Sequence, residues 1–86
     1  MALIFIAVDP DTGNDHSPTV WVDPETGDIV IQGWKADDAL LNEVANAPAP
    51  NHVPGVPAGE AVVRIPARMA PALRRACDAT ADPDVR

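Results

Sequence analysis

Apolar positions follow three different rhythms along this chain. Residues 3–8 form one continuous apolar run, closed by Asp9-Pro10, and predict a strand buried on both faces. Thr19-Val20-Trp21-Val22 and Ile29-Val30-Ile31-Gln32-Gly33-Trp34 are rich in β-branched and aromatic side chains and predict two more strands. The segments between them share a pattern, Asp9-Pro10-Asp11-Thr12-Gly13 and Asp23-Pro24-Glu25-Thr26-Gly27. Each puts Pro where a type I turn takes φ near about -65°, and Gly where the chain goes left-handed. Gly27 fits a hairpin with a G1 bulge. The simplest assembly is a three-stranded antiparallel meander.

The period then changes. Over 36–47, Leu40, Leu41, Val44 and Ala47 fall on one side of a helical wheel, and Asp38, Asn42, Glu43 and Asn46 fall on the other. Asp37 is the expected N-cap, and Asp38 suits the positive end of the helix. Residues 48–59 hold four prolines and two glycines and predict a loop. Residues 61–65 read as a fourth strand, ended by Pro66. Residues 67–79 read as a second helix, with Met69, Leu73, Ala76 and Cys77 inward and Pro71 in its first turn. Residues 80–86 read as a frayed tail. The expected fold is α+β: an antiparallel sheet of about four strands, in the order β-meander, helix, Pro-rich loop, strand, C-terminal helix, with both helices on one face.

Length limits this picture to one domain, over residues 1–79. A chain of 86 residues buries roughly 60–65% of its unfolded surface, so its core is thin. Only one Phe, two Trp and no Tyr are available to fill it. Self-association is one way to add buried area, which makes a homodimer an expectation.

Charge changes the functional reading. The net charge is -7, which argues against direct contact with nucleic-acid phosphates. It is also uneven: residues 1–60 hold ten acids and one base, and residues 61–86 hold five arginines and three acids. A single cysteine, Cys77, excludes an intrachain disulfide and favours a reducing compartment. The apolar start has no basic residues before it and is too short for a leader, and no run reaches the ~20 apolar residues of a membrane helix. A cytoplasmic protein is expected.

Candidate chemistry is sparse. The Asp9-x-Asp11-x-Gly13-x-Asp15 run resembles the opening of a calcium loop. The twelfth position from Asp9 is Val20, and from Asp23 it is Trp34, where a bidentate Glu is needed. A plain turn uses the same residues. His16, His52 and Cys77 do not form a zinc spacing. With one serine, Ser17, and no phosphate loop or nucleophile elbow, no enzyme is expected, and neither a cofactor nor a metal. Arg64, Arg68, Arg74 and Arg75 lack interleaved aromatics, and pairing with the chain's own acids or plain solvation is the favoured reading. The core is the default place for Trp21 and Trp34, although Trp is also enriched at interface anchors.

Four segments together carry a resemblance: Val8-Asp9-Pro10-Asp11-Thr12-Gly13, Pro18-Thr19-Val20-Trp21-Val22-Asp23, Gln32-Gly33-Trp34-Lys35, and Glu60-Ala61-Val62-Val63-Arg64-Ile65-Pro66-Ala67-Arg68-Met69. They resemble small acidic actinobacterial proteins encoded near helix-turn-helix regulators, and the layout is similar to that of BldB-type accessory proteins. The resemblance implies a partner protein and carries no catalytic residue with it. The resulting expectation is a non-enzymatic regulatory accessory. It would bind a partner, of the DNA-binding regulator class, through an acidic face of Asp9, Asp11, Asp15, Asp23, Glu25 and Asp28, with Trp34 beside them. The alternative is a small-ligand or Ca2+-binding domain built on the loop 9–15.

Overall fold

A computed structural model describes residues 2–11 and 17–81 of the chain. The fold is α+β. Its strands are β1 (Ile4–Val8), β2 (Thr19–Val22), β3 (Ile29–Gln32), β4 (Trp34–Lys35) and β5 (Val63–Arg64). Its helices are α1 (Asp38–Asn46) and α2 (Ala70–Ala81), the latter preceded by a 3-10 turn at Ala67–Met69. The chain divides into two compact units. The first combines Met1–Gly33 with Ile65–Arg86, and the second is Trp34–Arg64.

The first unit is built on the meander. β1, β2 and β3 form an antiparallel sheet in chain order. Phe5 lies opposite Trp21, and Trp21 opposite Val30. A register shift between Phe5 and Ala7 marks a bulge at Ile6. At the hairpin the Asp23 and Asp28 backbones bond at 2.8 Å, and Gly27 adopts φ 79°, as its place in the turn requires. Asp23 also accepts the Glu25 N–H at 3.0 Å, and the Thr80 hydroxyl donates to the Gly27 carbonyl.

α2 packs on this sheet. Met69, Ala72 and Ala76 meet Ala7, Val20 and Val22 to form the core, with Ile6, Ile29, Ile65, Leu73 and Ala79 at its margin. Three of the six core side chains are alanine, so Met69, at 2% exposure, fills most of the remaining gap. Pro71 lies in the first turn of α2, where its missing N–H costs nothing.

Four expectations need correction. Among the described residues no sheet of four strands forms: the predicted strand 29–34 breaks at Gly33, and Trp34 beyond it pairs with Arg64 in a separate two-stranded sheet. A glycine in a strand contributes no side-chain packing and marks such a break. β1 is not buried on both faces. Among the described residues it lies at the edge of the sheet, and Ile4, Phe5 and Val8 are exposed. Cys77 is exposed. The inward stripe of α2 runs through Ala72, Leu73, Ala76 and Ala79, and one residue past Ala76 is a turn of about 100° off it. The helix also includes Thr80 and Ala81, two residues of the expected tail.

The second unit holds α1, β4 and β5. Asp37 caps α1 as expected: its backbone is extended and its carboxylate accepts the Leu40 N–H at 2.8 Å. No residue of Trp34–Arg64 is buried, and residues 51–60 are all exposed. Among the described residues, no helix is long and apolar enough to cross a membrane.

Candidate functional site

The acids expected to share one face are dispersed. β1 ends and β2 begins at the Val8–Thr19 pair, whereas the 23–28 turn adjoins the Ile4–Val22 pair. Asp9 and Asp11 therefore lie at one end of the sheet, and Asp23, Glu25 and Asp28 at the other. Asp15 and His16 fall outside the described residues. Trp34 belongs to the second unit, where it is 41% exposed. Trp21 is half-buried between Phe5 and Val30.

Burial removes two acids from any surface. Asp9 is 2% exposed and Asp23 9%. The Asp9 carboxylate is engaged on both oxygens: Oδ1 accepts from Arg68 Nε and Oδ2 from an Arg68 terminal nitrogen, each at 2.7 Å. Oδ1 also accepts the Asp11 N–H at 3.2 Å. Such a two-pronged match is the strongest geometry available to a guanidinium and a carboxylate. The hydrogen bond to Asp9 is the main cause that raises the Arg68 pKa above its ordinary value; desolvation opposes it, and the Asp9 and Asp11 charges add to the rise. The Asp11 carboxylate, 3.6 Å from Arg68 Nε, stays open to solvent.

This cluster is a structural clasp. It joins the end of β1 to the turn before α2 and satisfies a carboxylate that could not be buried alone. It also bears on the calcium alternative, because a guanidinium already occupies the two Asp9 oxygens that a cation would need. Of the expected self-pairing or solvated arginines, Arg68 pairs with Asp9, while Arg64, Arg74 and Arg75 are exposed. His52 is exposed, with its Nδ1 at 2.8 Å from the Pro50 carbonyl.

Among the described residues, the second unit carries three clefts. A cleft of about 320 Å3 is lined by Val44, Ala47, His52, Val53, Pro57 and Glu60, among others. A second, of about 260 Å3, is formed by residues 53–57 themselves. A third, of about 270 Å3, lies between Leu41, Val56, Pro57 and Val62, with Lys35 and Glu60 as its charged members. The 53–57 segment is common to all three. Its turn relies on Gly55 at φ 98°, and Asn51 just before it is also left-handed at φ 65°. Clefts of this size sit at or below the lower end for small-molecule sites and suit the insertion of a few apolar side chains. Sequence reading missed them, although the four prolines of 48–57 were the available signal for a rigid, non-collapsing loop.

Comparison with protein families, curated proteins and solved structures finds no match to this chain.

Proposed function

We propose that the protein is a non-enzymatic interaction module that docks a partner protein on Trp34–Arg64. One observation carries this reading. The second unit buries no side chain: Trp34, Leu41, Val53, Val56 and Val63 are 36–90% exposed there, and Leu41, Val53 and Val56 line its clefts. Exposed apolar groups gathered at concave sites are a usual mark of docking surfaces. The same segment holds Asp37, Asp38, Glu43 and Glu60 against Lys35 and Arg64. Its occupant is therefore a basic segment with apolar anchors, which a DNA-binding regulator can supply, in keeping with the sequence resemblance. In this reading Trp34 remains a binding residue. Asp11, Glu25 and Asp28 contribute long-range attraction, and Asp9 and Asp23 serve the fold.

Tagged wild-type protein and a Leu41→Lys/Val56→Lys variant, exposed to lysate at low and high salt, test the proposal. A regulator held by the wild type, lost by the variant and weakened by salt is the expected result. Equal capture by both proteins would place the docking surface elsewhere.

A further inference from the structure

We propose that β1 pairs with β1 of a second copy of this chain, antiparallel across a twofold axis, joining two three-stranded sheets into one of six strands. The inference is independent of the docking function, which uses the other unit.

The first argument is the backbone. β1 ends the strand order, so its outer row of N–H and C=O groups meets no strand among the described residues. Such an edge is a template for another strand unless it is guarded, and the usual guards are charges, proline and bulges. Residues 2–8 contain neither a charge nor a proline. The one guard present is the bulge at Ile6, which twists the strand without placing a charge on it.

The second argument is area. Leu3, Ile4, Phe5 and Val8 are 40%, 41%, 58% and 45% exposed. They offer on the order of 300 Å2 per copy, taking roughly 150–200 Å2 for a whole large apolar side chain. With backbone pairing and flanking contacts the total reaches the low end of specific interfaces, below about 1,200 Å2. That area fits a weak, reversible dimer, populated at ~100 µM and dissociated near ~1 µM.

The third argument selects the occupant. A partner of either charge finds nothing to pair with on a neutral strip, whereas a second copy of the strip matches it in charge, length and strand character. A twofold interface needs such self-complementarity. Away from the strip each copy carries a net charge of -7, so the two copies repel. Salt screens that repulsion and strengthens the dimer. This is the opposite of the salt response expected for docking a basic partner, so each proposal can fail without the other.

Sedimentation equilibrium from ~1 to ~100 µM at low and high salt, with Phe5→Lys and Val8→Lys alongside the wild type, is the test. The expected result is a wild-type dimer favoured by salt, with at least a tenfold weaker association in each variant whose circular dichroism is unchanged. Two substitutions are used because Phe5 also packs beside Trp21, while Val8 lies at the strand end. Amide exchange in β1 should slow as concentration rises. A wild type that stays monomeric at ~100 µM would overturn the proposal. So would a dimer that survives both substitutions, or one whose concentration-dependent protection falls in 34–64.

Discussion

The two units draw on similar kinds of side chain and organise them to opposite effect. In the first, Val20 and Val22 alternate with Trp21 along β2, and the α2 stripe meets the face they share, leaving both valines fully buried. In the second, α1 has an equally regular apolar stripe, yet it buries no residue. Its companion strands are two residues long, and the loop between is stiffened by prolines that cannot fold back as a ladder. A periodic pattern thus predicts which face of an element is apolar, and says nothing about whether a complementary face exists to cover it. The first unit carries the fold, and the second presents a surface.

The most severe way to break the contrast is Met69→Ala. It deletes the largest side chain of a core otherwise made of alanine and valine, and should cost about 2–5 kcal/mol. Chemical denaturation should show a large loss of stability with an unchanged m-value. Arg68→Met comes next, since it strands the buried Asp9 carboxylate. The melting temperature should fall, and adding Asp9→Asn should restore part of it. Because the folded-state pKa of Arg68 is raised, its contribution is complete below the unfolded value and is lost only as pH climbs through the folded one. Stability from this arginine is therefore flat across the neutral range, and a guanidinium-dependent step there would contradict the assignment. Gly27→Ala forces a left-handed backbone on a residue with a Cβ and should destabilise the first unit by about 1–2 kcal/mol.

Changes in the second unit should be local and smaller. Asp37→Ala removes an N-cap normally worth about 1 kcal/mol. It should speed amide exchange at the start of α1 while leaving β2 amides unaffected. Val53→Ser, at a side chain 90% exposed, should alter global stability by less than about 0.5 kcal/mol. A larger loss would show that the exposed segment supports the core after all.

Local chemistry was readable from the residues. The meander, the Gly27 turn, the Asp37 cap and the first-turn Pro71 depend on neighbours within a few positions, where propensity and turn geometry act. Pairing over long separations was not readable. No pattern in 61–65 says that Arg64 will lie opposite Trp34, away from the meander. Nor does Asp9 in the segment Asp9-Pro10-Asp11 announce that it will be buried against Arg68, 59 residues on. The dispersal of the acids has the same cause: consecutive turns of a meander alternate between the two ends of the sheet, so acids that look adjacent in sequence are held a strand-length apart. Cys77 was misplaced by the width of one residue on a helical wheel.

The clasp between Asp9 and Arg68 spans 59 residues, and α2 with the turn before it supplies half of the core. During synthesis, a chain that has emerged only as far as Gly33 holds three short strands with a wet apolar face and a carboxylate still awaiting its guanidinium. Strands of four and five residues in a bare meander are marginal by themselves. The core of the first unit can therefore be completed only once residue 76 is free. Completing that core also requires closing a long loop, and the entropy of closure opposes it. A protein this small would otherwise be expected to fold quickly; this one should be slow, with its apolar β1 exposed throughout the wait.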